Sequence, residues 1–257
     1  MKIAILLKQV PVKDATLELS GDNTWIDEDD VQFEINDSDH YGLAEALNIA
    51  KANDGEVTVV TMGPDRVKDS IKQALAKGAH KAIHIDDEEM SSTDPLTRAK
   101  VIAEAIKDEN FDLILSGLQS DDFGYGQTGV LIAEILGMPH ATLVVETEIL
   151  EGKIKVKREL EGGWFQNAEL PLPALLSIQS GLTDIPYATI KGIMMAKKKP
   201  VAEVDADDLG VDLDTGAFKL QKIYTPVKSK ETVVLDGDAD SIVSQLIDKL
   251  KNEAKVL

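Results

Sequence analysis

The chain has 257 residues, no cysteine, and a formal net charge of −19 at pH 7. The missing thiols exclude disulfides, thiolate nucleophiles, cysteine-built zinc sites and cysteine-ligated iron–sulfur clusters, and the acidic balance argues against nucleic acid, which needs a cationic footprint. With 43% hydrophobic residues the chain can bury a full core, and no apolar run approaches the roughly 20 residues that would insert directly across a membrane.

Lys2–Val10 (KIAILLKQV) reads as one buried strand closed by Pro11. It follows Met1 directly, so no cleavable signal or transit segment is evident and a cytoplasmic location is expected. Val12–Ile35, with Gly21, Asn23 and the acidic Asp27-Glu28-Asp29-Asp30, reads as a loop or small hairpin. His40–Ala52 has helical spacing, with Leu43, Ala46, Leu47 and Ala50 on one face. Glu56–Met62 is β-branched and strand-like, and Gly63-Pro64 breaks it. Asp65–Lys77 is an amphipathic helix with a stripe of Val67, Ile71, Ala74 and Leu75 and with Gly78 as C-cap.

Lys81–Ile85 is a short strand, and Asp94–Lys107 a helix with Pro95 in its first turn, where a missing N–H costs nothing. Phe111–Leu115 is a fourth strand, followed by the loop Ser116–Gly129 and a helix over Val130–Leu136. Strand and helix alternate four times, which predicts an α/β fold: a mostly parallel, twisted, Rossmann-like sheet flanked by helices. After His140 the pattern changes. Ala141–Leu150 and Lys153–Leu160 alternate around the turn Glu151-Gly152, Gly162-Gly163 make a second turn, and Ala174–Ile178 is another strand, together an antiparallel extension. Gly181 to about Val233 has poor periodicity, and Asp238–Lys251 closes the chain as an amphipathic helix. The expected division is a nucleotide-binding α/β domain over residues 1–182 and, over 183–257, a recognition loop and C-terminal arm that gains order from another subunit, since a structureless stretch of that length needs a partner or a function.

The loop Ser116–Gly129 (SGLQSDDFGYGQTG) organises the chain. Three glycines after its first two residues permit close backbone approach to a ligand, and the N–H groups of the following helix suit a phosphate. Gly124–Gly129 matches G-x-G-x-x-G, but that dinucleotide fingerprint belongs after a first strand and this run follows a fourth. No Walker-type motif occurs. Asp121-Asp122 suit ribose hydroxyls, a metal or an ordinary loop role. Asp236–Asp240 begins like a calcium loop but has Ser241 and Ile247 where glycine and glutamate belong, so it is read as a helix cap. Asp86-Asp87-Glu88-Glu89 is read as a solvated acidic loop. His40, His80, His84 and His140 form no metal motif, and no nucleophile elbow or triad order emerges, so no catalytic residue and no metal ligand is assigned. The residues describe a nucleotide binder that acts through partners.

The chain resembles, nearly end to end, the β-subunit family of electron transfer flavoproteins. The most specific match is Val156-Lys157-Arg158-Glu159-Leu160-Glu161-Gly162-Gly163 continuing to Pro173-Ala174-Leu175-Leu176-Ser177, with Ala168 where the family carries a larger aliphatic. Asn36, Met62-Gly63-Pro64, Tyr187-Ala188-Thr189-Ile190, Ala196-Lys197-Lys198-Lys199 and Asp208–Leu213 are similar too.

The resemblance implies an adenine nucleotide alpha hydrolase-like fold and a heterodimer with an electron transfer flavoprotein (ETF) α subunit that holds most of the redox FAD. It implies one AMP in this subunit as a structural ligand, on Leu6, Asn36, Asp37, Ser38, Asp39, Met62, Gly117, Leu118, Gln119, Ser120, Asp121, Asp122, Phe123, Gly124, Tyr125, Gly126, Gln127 and Thr128. It also implies a recognition loop for acyl-CoA dehydrogenases of fatty acid β-oxidation, with Tyr187, Ala188, Thr189 and Ile190, Ile190 being the anchor, and Lys197, Lys198 and Lys199 steering acidic partners. Electrons would leave for a membrane quinone reductase, the ETF–quinone oxidoreductase. An electron-bifurcating variant with a second FAD that oxidises NADH is the alternative within the family; Thr128 follows the AMP type, whereas Asp122-Phe123-Gly124-Tyr125 departs from both patterns. An NAD-dependent oxidoreductase and a universal-stress-type nucleotide binder are the alternatives outside it.

Overall fold

The structure is a computed structural model that describes residues 1–87, 94–212, 216–227 and 232–257. Glu88, Glu89, Leu213 and residues 228–230 of the segments discussed above lie outside the described residues. The chain forms two compact units, Met1–Lys222 and Ile223–Leu257.

The first unit is built on one sheet of nine strands among the described residues, in the order β11-β5-β4-β1-β6-β10-β7-β8-β9. Five of these strands are β1 (Lys2–Leu6), β4 (Glu56–Gly63), β5 (Lys81–Asp86), β6 (Leu113–Gly117) and β10 (Ala174–Ile178). With β11 (Val201–Asp205) and the start of β7 (His140–Leu150) they pair in parallel. Period-two alternation decides which side chain goes to which face: Ile3 and Ile5 of β1 join one core while Ala4 and Leu6 join the other. Helices α1 (Asp37–Ala52) and α2 (Lys68–Lys77) cover the first face with Leu43, Ala46, Ile71 and Leu75. Helices α3 (Pro95–Ile106) and α4 (Thr128–Ile135) cover the second with Ala99, Val101, Ile106 and Ile132.

Several sequence expectations are corrected. The N-terminal strand is not continuous to Val10: it ends at Leu6, and Gln9–Pro11 (β2) turns away to pair antiparallel with Phe33–Ile35 (β3). Helix α1 begins at Asp37, ahead of His40. The segment Asp65–Val67 is a 3-10 turn leading into α2. Strand Ala174–Ile178 does not belong to the antiparallel extension; it lies parallel between β6 and β7, every residue buried. The extension is instead β7, β8 (Lys153–Glu159) and the unanticipated β9 (Phe165–Pro171). The stretch from Gly181 to Val233 is not uniformly irregular, because Ile190–Ala196 is helical (α5) and β11 adds to the sheet beside β5.

Helix α5 packs tightly on α2, and glycine decides how tightly. A Cβ on Gly192 would lie 2.2 Å from the Ala76 carbonyl oxygen, while Lys199 Nζ donates to the carbonyls of Leu75 (2.8 Å) and Ala79 at the C-terminal end of α2. Gly192→Ala is expected to lower stability by about 1–3 kcal/mol through overpacking and to lift α5 off α2, read as faster amide exchange confined to residues 188–199.

The second unit contains α6 (Ala239–Asp248), capped by Asp238, whose carboxylate accepts the Ser241 N–H at 2.9 Å. That is the cap expected of the Asp236–Asp240 run. No helix among the described residues is long and apolar enough to cross a membrane.

Candidate functional site

The sheet order places the next strand after β1, β4, on one side and β6 on the other, so the carboxyl ends of β1 and β6 flank a switch point, where open α/β sheets leave a crevice. A cleft of about 950 Å³, including its mouth, opens there. Leu6, Met62 and Ile102 give it apolar walls, Lys8 and Arg98 line it with cations, and the loop after β6 closes one side.

Polar residues at the start of α1 build the loop from beneath. Asn36 Nδ2 donates to the Gln119 carbonyl (2.9 Å), and its Oδ1 accepts the Asp121 N–H (2.8 Å). Ser38 Oγ donates to the same Gln119 carbonyl at 3.0 Å. The buried Asp39 carboxylate accepts the N–H groups of Lys8 (2.7 Å) and Gly117 (2.9 Å), tying the end of β1 to the end of β6. Burial pushes its carboxyl up to about 7, against the downward pull of those donors and of Asn36. These groups therefore shape the cleft with most of their hydrogen-bonding capacity already used.

Glycines do two different jobs. Gly124 and Gly126 have φ of +65° and +63°, the left-handed region that favours glycine. Gly129 serves close packing, since a Cβ there would lie 2.5 Å from Ser116 Oγ and 3.0 Å from Ser177 Oγ. It lets α4 begin directly against β6 and β10. The N-cap of α4 is Gln127, which makes no side-chain cap hydrogen bond. The first N–H groups of α4 and the positive end of its dipole face the cleft margin lined by Gln127, Thr128 and Gly129, which is anion-binding geometry.

Opposite this end, Lys8 Nζ pairs with Asp122 Oδ1 at 2.6 Å and lies 4.7 Å from the centre of the Phe123 ring. Burial lowers the Lys8 pKa, opposed by Asp122; burial raises that of Asp122, but the charge and hydrogen bond of Lys8 outweigh it and the net shift is downward. Phe123 continues an aromatic row: Trp25 stacks on it at 5.2 Å, Tyr125 also stacks on it at 5.5 Å, and Phe218 meets Tyr125 edge-on at 5.5 Å. Arg98 Cζ lies 5.9 Å from the Phe123 ring.

Of the residues anticipated for the cleft, Leu6, Asn36, Asp39, Met62, Gly117–Ser120, Phe123 and Tyr125–Thr128 line it; Asp37, Ser38, Asp121, Asp122 and Gly124 stand behind or beside the lining. Ser116 and Gly129, the two ends of the loop read from the sequence, line it too, and Leu7, Lys8, Gly63, Asp87, Pro95, Arg98 and Ile102 line it without having been anticipated. Lys8 carried a signal, a lysine inside an apolar run, and Arg98 and Ile102 are four apart on one helix, but neither pattern names a cleft. His80 Nδ1 accepts the Val57 N–H at 3.0 Å and His84 Nε2 sits 2.8 Å from the Gly63 carbonyl, so both are engaged by main chain. No cluster of three or more potential metal ligands occurs among the described residues. In the recognition segment, Tyr187 and Ile190 are 95% and 81% exposed, Thr189 caps α5 by accepting the Gly192 N–H at 3.0 Å, and Ala188 packs against the core. Lys197 and Lys198 share the basic run, but Lys199 is bound to α2 rather than free to steer.

Comparison with known proteins identifies the family. Residues 23–209 match the family model described as electron transfer flavoprotein domain. The electron transfer flavoprotein subunit beta of Methylophilus methylotrophus is 35% identical, with 99% of each chain covered. The chain belongs to the electron transfer flavoprotein β-subunit family. The subunit beta of Bacillus subtilis is 32% identical over 90% of this chain and 91% of its own, and the mitochondrial subunit beta of Arabidopsis thaliana is 33% identical with both chains fully covered. Membership places this flavoprotein subunit among electron-transfer proteins, and its G-x-G-x-x-G run, after β6 and not β1, stands away from the primary dinucleotide position.

Proposed function

We infer that this chain is the β subunit of a heterodimeric electron transfer flavoprotein and that its cleft holds AMP as a structural ligand. One observation carries the ligand reading: the uncapped start of α4 opens on a cleft that also has cationic and apolar walls. The phosphate would lie at the N–H groups of Thr128 and Gly129, and the adenine against Leu6 and Met62 at the strand ends. AMP so placed does no chemistry. It joins the loop, α4 and the end of β1 into one rigid body and stabilises the folded state by mass action.

Electron transfer itself belongs to FAD, held mainly by the α subunit. This chain's contribution is to bind that subunit and to present α5 to electron donors. Tyr187 and Ile190 project from the body, and Ile193 and Met194 widen the apolar patch, the type of surface that docks a partner through a few buried anchors. Acyl-CoA or related flavin dehydrogenases would supply the electrons and a quinone oxidoreductase would receive them. The C-terminal unit, with α6, would pack on the α subunit.

Acid extraction of the purified heterodimer tests the ligand reading: one AMP and one FAD per heterodimer are expected. Two FAD and no AMP would assign the cleft to an electron-bifurcating flavin that oxidises NADH, and absence of any second subunit would overturn the heterodimer.

A further inference from the structure

Four of the chain's eleven aromatic residues form the row Trp25, Phe123, Tyr125, Phe218. The first three are tied to the nucleotide loop or its neighbours: Phe123 and Tyr125 are the loop tip, and Trp25 is held by its Nε1–H, which donates to Glu28 at 2.7 Å. Phe218 comes from a segment without regular secondary structure, about ninety residues further along the chain. A second contact, at the start of α3, holds it there. Gly216 lies so close to Asp94 that an added Cβ would be 3.0 Å from the Asp94 Cβ, and the Ala217 N–H is directed at the Asp94 carboxylate. Asp94 is in turn the N-cap of α3, accepting the Thr97 N–H at 2.9 Å, and α3 supplies Pro95, Arg98 and Ile102 to the cleft.

Residues 216–218 therefore join two elements that contribute to the cleft, the N-cap of α3 through Gly216 and Ala217 and the loop tip through Phe218, while standing outside the lining itself. We propose that this segment is a strap at the rim of the nucleotide cleft, held by Asp94 at one end and by Phe218 against Tyr125 at the other, so that bound nucleotide and docked strap stabilise each other. The proposal rests on the nucleotide reading of the cleft. The linkage follows from geometry: the strap can bridge only if the loop tip and α3 keep their spacing, and a nucleotide filling the space between them fixes that spacing. By reciprocity, a docked strap must raise nucleotide affinity, which is read here through the release rate. The row also supplies a reporter, because the chain has two tryptophans and one of them, Trp25, stacks on the loop.

The test uses the purified full-length protein in its native assembly, with the exposed Trp164 replaced (Trp164→Phe) so that Trp25 is this chain's one remaining tryptophan and the Trp25→Phe variant supplies the background emission. AMP release after dilution is followed by Trp25 fluorescence and by nucleotide content, and strap docking by tryptic cleavage at Lys219 and Lys222 with and without AMP. AMP is expected to slow cleavage at both lysines. Phe218→Ala is expected to abolish that protection and to speed AMP release about three- to tenfold, the size of one aromatic pair, and Phe218→Tyr to restore both. Bound AMP with release and protection identical in wild type and Phe218→Ala would overturn the strap. Failure of the nucleotide reading looks different: no AMP in the extract and no effect of added AMP on wild-type fluorescence, which would overturn the linkage as well.

Discussion

Gly117→Ala is expected to destabilise the protein by about 2–6 kcal/mol and to lower occupancy of the cleft by the proposed AMP. A Cβ at position 117 would lie 2.1 Å from Asp39 Oδ1 and 2.3 Å from Ser38 Oγ. Neither atom can retreat cheaply. Asp39 holds the ends of β1 and β6 through the Lys8 and Gly117 N–H groups, and Ser38 holds the Gln119 carbonyl. Overpacking a buried site costs about 1–3 kcal/mol, and breaking hydrogen bonds that leave a buried carboxylate poorly paired adds about 1–3 kcal/mol. A urea titration measures the loss as a lower midpoint at unchanged slope. Gly21→Ala is the control, with nothing within 4 Å of its added Cβ and an expected change within about 0.5 kcal/mol. Equal stability of the two variants would mean that the α1–β6 contact does not hold the loop.

Asp39→Ala is expected to cost about 3 kcal/mol or more, because it strands two buried main-chain donors. Asp39→Asn separates charge from shape. Burial lifts the Asp39 carboxyl from 3.8 to about 7. A folded-state value above the unfolded one means that the native protein keeps this proton where the unfolded chain has lost it. Its contribution to stability is complete below about pH 4, declines as pH rises through 7, and is level beyond, a swing on the order of 4 kcal/mol. Asparagine has no such titration. The deficit of Asp39→Asn relative to wild type should therefore shrink from pH 4 to pH 7 and stay constant above it. A deficit that grows over the same interval would show that the main-chain donors outweigh burial and hold the carboxylate ionised.

Much of the molecule was legible in the sequence because local physics wrote it there. The β-branched Glu56–Met62, the stripe of Ile71, Ala74 and Leu75 with Gly78 after it, and Asp94 before Pro95 each fixed an element within a residue or two. The pairing of β7 with β8 followed from alternation around Glu151-Gly152. Ala174–Ile178 shows where such reasoning stops. A run buried on both faces reads as a strand, but nothing within it says that its neighbours are β6 and β7. Val201–Asp205 had the opposite problem: as an edge strand it carries no buried residue, and only its register with β5 reveals it.

The candidate site divides along the same line. By itself the sequence determined an α/β protein with a glycine-rich loop between a fourth parallel strand and a helix, without thiols or a catalytic motif, because periodicity, turn chemistry and composition act over a few residues. Tertiary structure alone decided which polar residues line the cleft and which are spent on the scaffold. Asn36 and Ser38 hold the loop through Gln119, Asp39 joins β1 to β6, and Lys8 and Arg98 arrive from separate elements to line the same cleft as Phe123 and Tyr125. Their roles depend on contacts between residues tens of positions apart, and such contacts exist only once the sheet has brought the strand ends together.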